Sequence, residues 1–527
     1  MSDSTREERD LVGFYDLSVA PTSFDFATFL TRVEWRRREL GARRFRVAIV
    51  PASGSGFWDR EPFSVEAKRS RLQDLLLPLG ELFPACSGVD VCASREEAET
   101  LARDRRTLHF PDGYTPRAPV PDTFQWAHIV AARICGDPLP GWSAPATSRR
   151  EASDWLAAQG AFGRVVSITL REATYHTANN SRVTEWGRFA RSLSRSGFFP
   201  VIVRDSERAD EPPPIDLRGI PIYREAALDV RVRAALYARS WLNLSVATGP
   251  MMLMWLDPRC HSVVWKLLNP DNFRSTPTPI RSMGIEVGGQ VPGLAASHRL
   301  FWREDSREAL EAGFDAALAR LSGDDELKPE QEPPLVTAHR LRDTARLEPA
   351  CRIYRHLEKL DPGDPFPTYG RCLAELRRPD RPRVERALRG AALFARARMR
   401  GRRLANATLH ELLEFALCHE RFHFHATAER AYRRVLEADP QQPLALQRLG
   451  VSALRQGRTQ VAVALLQQAV EQDPYRPECH WHLGRALRES GDRAGACEHF
   501  AQASLYDPSH AEAASALAEL GAQRGNP

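Results

Sequence analysis

The pattern of apolar and polar residues is clearest over residues 164–205, where it predicts a strand, a polar loop, a helix and a second strand. The apolar run 165–170 is short and rich in β-branched residues, which favours a buried strand. Apolar residues then recur at helical spacing over 183–193, and Gly197 is typical of a helix end. The polar loop Arg171–Arg182 therefore lies where the carboxyl end of a strand meets the amino end of a helix.

Strand and helix patterns alternate over the rest of residues 46–321 as well. Four helix- and strand-breaking residues between 138 and 148 place a domain boundary there. We therefore predict two Rossmann-like α/β domains that face a cleft, an acceptor half at 1–148 and a donor half at 149–321. The further predicted strands are 46–50, 89–92, 107–110, 241–244 and 262–265, and the further predicted helices are 69–79, 95–103, 123–135, 228–239 and one that starts at 251.

The carboxyl-terminal third repeats at a fixed interval. Pro440, Pro474 and Pro508 each follow an aspartate, and they are 474 − 440 = 34 and 508 − 474 = 34 residues apart. This spacing and the small residues between the prolines resemble the tetratricopeptide repeat, closely over 409–510 and more loosely from 340. We therefore predict a polar linker at 322–334 and an all-α tetratricopeptide array at 335–527. An unrelated helical bundle is the alternative.

Composition limits the possible partners. The net charge of +5 is small for 527 residues, which argues against general nucleic-acid binding. The chain begins with charged residues and lacks an apolar run of about 18, so we expect neither a secretory signal nor a transmembrane span. Its nine cysteines are scattered without metal-ligand spacing. These features predict a reduced, cytoplasmic protein with no metal site.

Two loops carry the candidate chemistry, and both join a predicted strand to a predicted helix. The first is Arg171–Arg182, and the second is 245–250, in which Pro250 suits the first position of a helix. A helix amino end offers free N–H groups to an anion, and an arginine fork suits phosphate. The candidate ligands of a phosphate-type group are Arg171, Glu172, Asn180, Arg182, Ser245, Thr248 and Gly249.

The layout of 168–172 after a strand and of 245–250 before a helix is similar to the donor half of GT-B glycosyltransferases, in particular fucosyltransferase-like enzymes. The segments 14–17, 23–26 and 47–51 also resemble uncharacterised bacterial proteins placed among glycosyltransferases. The resemblance covers about residues 10–320. It implies a nucleotide-sugar donor as substrate, with no metal and no other cofactor.

The resemblance also implies roles for the candidate residues. Arg171 would bind the donor diphosphate and stabilise the charge of the leaving group, and Thr248 and Gly249 would complete that cradle. Asn180 and Arg182 would reach phosphate or ribose.

An inverting transfer also needs a general base near the acceptor hydroxyl. Asp59 and Glu61 follow a glycine-bearing loop at the end of the strand 46–50, and this position makes them the candidates.

Three hypotheses for the function follow. The first is a glycosyltransferase whose repeat array holds a protein partner or acceptor on its concave face. The second is a scaffold whose α/β region is inactive, and the third is another nucleotide-sugar enzyme such as an epimerase. The arginines that would favour an acidic partner on the array are Arg433, Arg434, Arg448, Arg455 and Arg458.

Overall fold

The computed structural model describes residues 9–61, 63–121, 123–161, 163–269, 275–294, 297–321, 333–399, 407–507 and 510–522. The chain forms two compact units. Met1–Asn272 and Gly288–Gln331 make up the first, which we call the α/β unit, and Phe273–Val287 and Glu332–Pro527 make up the second, which we call the helical unit. Most of the predicted linker, residues 322–332, and Pro508 lie outside the described residues.

A parallel four-stranded sheet forms the first half of the α/β unit. Its strands are β1 (Leu11–Asp16), β2 (Phe45–Val50), β3 (Cys86–Val91) and β4 (Leu108–Phe110), in the order β3-β2-β1-β4. The three strands that the sequence predicts here are confirmed, with bounds shifted by a few residues. The central strand β1 is not among them. All six of its residues are buried, so it lacks the polar alternation that marks a half-exposed strand.

The helices of this half are α1 (Asp25–Leu40), α2 (Val65–Arg71), α3 (Leu77–Gly80), α4 (Arg95–Ala102) and α5 (Ala127–Ile134), with a π turn at Leu72–Leu76 between α2 and α3. Helix α1 packs closely on β1 because Gly13 has no side chain. A Cβ at Gly13 would lie only 2.9 Å from Cγ2 of Val33.

The helix predicted at 69–79 is present, but the π turn at Leu72–Leu76 divides it into α2 and α3.

A second parallel sheet forms the other half of the α/β unit. Its strands are β5 (Arg164–Thr169), β6 (Phe198–Val203), β7 (Leu242–Val246), β8 (Ser262–Trp265) and β9 (His298–Phe301), in the order β6-β5-β7-β8-β9. The strand order reverses between β5 and β7, so this is the point at which an open α/β sheet leaves a crevice. Both sheets are Rossmann-like, as the sequence predicts, and β9 is the strand that its pattern does not predict.

The helices of this half are α6 (Ala146–Ala158), α7 (Val183–Arg195), α8 (Arg224–Leu228), α9 (Val230–Arg239), α10 (Met251–Leu256) and α12 (Arg307–Leu321). Trp186 and Phe189 on α7 lie in the core, where Trp186 meets Trp265 edge to face at 5.5 Å between ring centroids. The predicted helix at 228–239 divides at Asp229, whose carboxylate accepts a hydrogen bond from the backbone N–H of Arg231 and so caps α9.

The first helix of the helical unit is α11 (Pro277–Ser282). It lies in the segment Phe273–Val287, which interrupts the α/β unit in the sequence. Five antiparallel helix pairs and a final helix follow: α13 (Pro334–Asp343) with α14 (Leu347–Leu360), α15 (Phe366–Arg377) with α16 (Arg383–Met399), α17 (Leu409–Arg421) with α18 (His425–Ala438), α19 (Pro443–Arg455) with α20 (Thr459–Gln472), α21 (Pro477–Ser490) with α22 (Arg493–Tyr506), and α23 (Ala511–Ala522). The predicted 34-residue helix pairs are confirmed. Among the described residues, no helix has both the length and the apolar character to cross a membrane.

Glycines explain how the two helices of a pair come so close. A Cβ at Gly450 would lie 2.7 Å from Cγ of Leu466, and a Cβ at Gly484 would lie 2.6 Å from Cε1 of Phe500. Any side chain at these positions would push the helices apart, because protein interiors leave no spare volume.

Candidate functional site

The loop after β5 holds Arg171 through its own backbone. The guanidinium donates hydrogen bonds to the carbonyl oxygens of Tyr175, at 3.0 Å, and His176, at 2.9 Å, and to Oδ1 of Asn180, at 2.6 Å. It also lies over the Tyr175 ring, 5.2 Å from the centroid, and Arg171 is only 7% exposed. These contacts make Arg171 the residue that shapes the loop.

Glu172 is held by an ion pair that the sequence does not predict. Its carboxylate accepts hydrogen bonds from Nε and Nη2 of Arg204, at 2.9 and 2.8 Å, and Arg204 is buried. Asp205 accepts a hydrogen bond from the Glu172 backbone N–H at 3.3 Å and caps a short 3₁₀ helix. The Glu172 carboxylate is therefore neutralised inside the protein.

Asn180 and Arg182 are also engaged by their surroundings. The Asn180 side chain bonds the backbone of Ala173 in both directions, at 3.2 Å and 2.9 Å. The backbone N–H of Arg182 donates to Oδ2 of Asp305 at 2.7 Å, and its half-exposed guanidinium lies 3.3 Å from Oε2 of Glu304. Of these candidates, the Arg182 guanidinium is the one that reaches solvent.

Lys266, which the sequence analysis did not select, completes this edge of the sheet. It follows β8 with a backbone φ of 55°, in the left-handed region that non-glycine residues seldom adopt. Its buried Nζ donates to the Asn180 carbonyl at 2.9 Å and lies 3.7 Å from Oδ1 of the fully buried Asp305. Strained residues of this kind often cluster at functional sites. The signal in the sequence was its rarity, since the chain has only four lysines.

The second predicted loop, 245–250, is shorter than expected, because β7 extends to Val246. Ser245 belongs to β7, opposite Thr169 of β5, and its buried Oγ has no hydrogen-bond partner within the described ranges. Thr248 is half-buried, and Gly249 lies against the first half of the unit. A Cβ at Gly249 would be 2.6 Å from Cδ2 of Phe24, so packing alone accounts for this glycine.

The two loops do share one edge of the sheet, because β5 and β7 are parallel neighbours. An open cavity of about 480 Å³ runs along the first loop, and its lining includes Arg171, Thr177, Asn180 and Arg208. The cavity therefore lies beside the segments that follow β5 and β6, whereas the reversal of strand order lies between β5 and β7.

The two candidate bases differ in their surroundings. Glu61 is buried, and its carboxylate accepts hydrogen bonds from the backbone N–H of Thr22 at 2.9 Å and from the Thr22 hydroxyl at 3.0 Å. Asp59 is exposed. A base must be free to accept a proton, so Asp59 is the more accessible of the two. No group of three or more His, Cys, Asp or Glu side chains in the described part of the chain is arranged to hold a metal.

A separate cavity of about 710 Å³, which we call the groove, lies in the helical unit. Side chains from the first helices of the five pairs line it, namely α13, α15, α17, α19 and α21 with the residues that flank them. Its lining includes six arginines and three acidic residues: Arg342, Arg377, Arg421, Arg448, Arg455 and Arg476, with Asp343, Glu420 and Glu478. The groove therefore carries an excess of positive charge.

Buried ion pairs form the floor of the groove at α13. Arg342 is 1% exposed and hydrogen-bonds Glu414 of α17, which is equally buried. Burial alone would raise the pKa of Asp343, but Arg342, Arg377 and Arg476 hold it below its usual value. Arginines of three different repeats therefore surround a single carboxylate.

The middle of the groove has polar atoms without partners. Oε1 of Gln447 and Nε of Arg448, both on α19, are buried and lack a hydrogen-bond partner in the described ranges. Gln447 is only 1% exposed. Unpartnered buried polar atoms are costly, so a ligand that supplies the missing partners would gain affinity here.

Two of the five arginines predicted for the concave face line the groove, Arg448 and Arg455. Arg433 and Arg434 lie on the second helix of their pair, α18, and Arg458 precedes α20. Arg342 and Arg377 were missed because the weaker repeats before residue 409 gave no register from which to place them. Arg421 and Arg476 were missed because they lie at helix ends, where the helical period does not show which way a side chain faces.

Comparisons with known proteins support the repeats. Two family models described as tetratricopeptide repeat match residues 414–477 and 453–520. No curated protein matches significantly. Neither result supports the predicted resemblance to GT-B glycosyltransferases. For the α/β unit, the part of the prediction that the structure supports is the pair of Rossmann-like parallel sheets.

Similar solved structures are repeat proteins with low identity. They include YrrB, a TPR protein with an unusual peptide-binding site, at 18% identity and TM-score 0.24 over 38% of this chain and 96% of that one. The first TPR of Spaghetti (RPAP3) bound to an HSP90 peptide has 17% identity and a TM-score of 0.22, over 22% of this chain and 94% of that one. A human IFIT1 dimer has 15% identity and a TM-score of 0.29, over 42% of this chain and 53% of that one.

Tetratricopeptide repeats are protein-interaction modules, and the array gives this chain a surface for protein partners.

Proposed function

We propose that the helical array is an adaptor that binds an acidic segment of a partner protein in its groove. The excess of arginines over carboxylates in the groove is the observation that carries this proposal. Such a surface attracts carboxylates, and arginine is well suited to hold them in paired hydrogen bonds.

The groove also has the dimensions and polarity for an extended peptide. Its lining crosses five successive helix pairs, so a ligand would contact many repeats at once. Gln447 and Arg448 offer an acceptor and a donor at its centre, where a peptide backbone supplies both complementary groups. An acidic peptide therefore satisfies both the charge and the unpartnered polar atoms.

The test compares two charge reversals at exposed arginines. Arg421→Glu places a negative charge in the groove, whereas Arg433→Glu makes the same change on α18, where Arg433 is 54% exposed and pairs with Glu429. With a fluorescent hexaglutamate peptide as probe, we expect Arg421→Glu to weaken binding by about tenfold, which is about 1.4 kcal/mol. Arg433→Glu should change it by less than about twofold.

Circular dichroism of both variants confirms that they fold. Equal loss in the two variants would show that only overall charge matters and would overturn the groove assignment. Failure of the wild-type protein to bind the probe at low salt would overturn the proposal itself, because the attraction between exposed charges is strongest there.

A second candidate function is sugar transfer from a nucleotide sugar by the α/β unit. The reversal of strand order between β5 and β7 supports it, because nucleotides bind in such crevices. In this proposal Arg171 shapes the loop that faces the diphosphate, and Thr248 and Gly249 lie beside it. The half-exposed guanidinium of Arg182 contacts phosphate or ribose, and Asn180 supports the loop through its hydrogen bonds to Arg171 and Ala173.

In this candidate function Asp59 is the general base, and Glu61 supports its loop through the hydrogen bonds to Thr22. If the crevice does not bind a nucleotide, the α/β unit is an inactive part of an adaptor.

Thermal unfolding with GDP, UDP, CMP, TDP and ADP separates these two possibilities. A nucleotide at 100 times its dissociation constant stabilises the folded protein by about 2.7 kcal/mol. We expect one nucleotide to do so and Thr248→Val to reduce the effect without unfolding the protein. No stabilisation by any of the five would contradict the transferase proposal and leave the adaptor proposal untouched.

A further inference from the structure

Residues 275–287, which we call the strap, belong to the helical unit although the chain before and after them belongs to the α/β unit. Helix α11 forms the first part of the strap, and Ile280 and Ile285 are buried. The strap therefore packs on the array as a segment inserted from elsewhere in the sequence.

One set of strap contacts reaches the later repeats. Nη2 of Arg281 lies 3.2 Å from Oδ1 of Asp473, which follows α20. The Thr278 hydroxyl donates a hydrogen bond to the carbonyl of Tyr506, the last residue of α22, at 3.2 Å. The strap thus touches the fourth and fifth helix pairs.

A second set of contacts reaches the first pair. Arg340 on α13 donates through Nε to Oε2 of Glu286 at 2.9 Å and through Nη1 to the carbonyl of Gly284 at 3.1 Å. Within the strap, Nε of Arg281 donates to the other oxygen of Glu286 at 2.9 Å. A chain of charged groups therefore runs from Arg340 through Glu286 and Arg281 to Asp473.

Arg340 and Asp473 are 473 − 340 = 133 residues apart. In repeat arrays each pair normally contacts only its neighbours, so the curvature of the array is set by many small interfaces and deforms easily. A segment that binds the first, fourth and fifth pairs together restrains that deformation.

We propose that the rim of the array at Arg340, Asp473 and Tyr506 is a second binding site whose ligand is the strap of the same chain, and that the bound strap fixes the shape of the groove. The groove lies beside this rim, because Arg342 and Asp343 follow Arg340 on α13, and Arg476 follows Asp473. A groove held in its binding shape costs less entropy to fill, so fastening the strap raises affinity for the partner segment.

The test is a charge swap between Arg281 and Asp473 in the 527-residue chain. Thermolysin cleaves unprotected chain before Ile and Met, and the strap offers Ile280, Met283 and Ile285. We expect Arg281→Glu and Asp473→Arg each to speed cleavage within the strap by at least about fivefold. The double variant should recover part of that protection, because the change at Arg281 also places a carboxylate against Glu286. Unchanged cleavage in the single variants, or no recovery in the double variant, would overturn the strap assignment.

Affinity for the hexaglutamate peptide tests the effect on the groove, and this readout rests on the proposed function. Asp473→Arg adds positive charge beside the groove, so electrostatics alone would strengthen binding of an acidic peptide. The strap predicts the opposite, a weakening of about fivefold or more that the double variant reverses in part. Stronger binding by Asp473→Arg would contradict the role of the strap, whereas no binding by the wild-type protein would contradict only the proposed function.

Discussion

Arginines are used differently at the two candidate sites of this protein, the loops at the edge of the second sheet and the groove of the helical array. At the sheet edge, Arg171 is bonded to its own loop and Arg204 to Glu172. In the groove, arginines outnumber the carboxylates that line the same cavity. Four of the six groove arginines lie 3.9 Å or less from a carboxylate oxygen, namely Arg342, Arg377, Arg455 and Arg476. The arginines of the sheet edge therefore stabilise the fold, whereas the groove combines structural ion pairs with a surplus of positive charge for a ligand.

The comparison shows that the partners of an arginine indicate its role better than its position in a motif. Arg171 occupies the place where a phosphate ligand is expected, yet its hydrogen bonds go to Tyr175, His176 and Asn180. Arg448 stands in a repeat with no catalytic pattern, yet its Nε has no partner in the described ranges.

The largest expected effect tests whether one groove arginine has a purely structural role. Glu414→Gln removes one of the two carboxylates that pair with the buried Arg342 and leaves only the partly exposed Asp343, so the free energy of unfolding should fall by about 3 kcal/mol. Chemical denaturation followed by circular dichroism measures this change. The matched control is Glu385→Gln on α16, whose pair with Arg389 is about half exposed and should contribute less than about 1 kcal/mol. Similar losses in both variants would remove the distinction between buried and exposed pairs.

At the sheet edge, Arg171→Ala should loosen the loop that Arg171 holds. Removing its charged hydrogen bonds should cost about 1.5–3 kcal/mol of local stability. Hydrogen exchange over residues 171–182 should quicken accordingly while exchange in β5 stays slow. Unchanged protection of the loop would show that Arg171 is not its main restraint. That result would favour the earlier hypothesis that Arg171 is a phosphate ligand.

Gly249→Ala separates packing from anion binding at the second loop. Because the new Cβ would meet the Phe24 ring at 2.6 Å, we expect a loss of about 1–3 kcal/mol in thermal unfolding even without any ligand. Adding Phe24→Leu should recover part of that loss. A fully stable Gly249→Ala protein would contradict the packing explanation.

The smallest expected effect concerns pH. Burial alone would raise the pKa of Glu286, but the guanidinium groups of Arg281 and Arg340 hold it below its usual value. A lowered pKa in the folded state gives stability that is complete above the ordinary glutamate pKa and is lost as the pH falls through the lowered value. The difference in melting temperature between wild type and Glu286→Gln, worth at most about 1 kcal/mol at pH 7, should therefore shrink in acid. A constant difference down to pH 3 would contradict this assignment.

The repeats and most of the strands could be predicted from the sequence, because both leave periodic signals. The 34-residue spacing of Asp-Pro pairs reports the end of each second helix, and the apolar run 165–170 reports a buried strand. Strand β1 escaped prediction because it is buried on both faces and contains Gly13. Strand β9 escaped because its four residues, HRLF, alternate too briefly to form a pattern.

The candidate site was less predictable, because side-chain partners come from distant parts of the chain. Pairs such as Glu172 with Arg204, Glu61 with Thr22 and Arg342 with Glu414 leave no local pattern. The strap is the extreme case, since residues 275–287 read as an ordinary part of the α/β region until the fold places them against the array.

Hydrogen exchange of the whole chain with and without the hexaglutamate peptide tests the central claim most directly, because it compares the two candidate sites in one experiment. We predict that the peptide slows exchange in α13, α15, α17, α19 and α21, whose side chains line the groove, and leaves residues 171–182 unchanged. Protection confined to 171–182, or no protection in any of the five helices under conditions where the peptide is bound, would contradict the account.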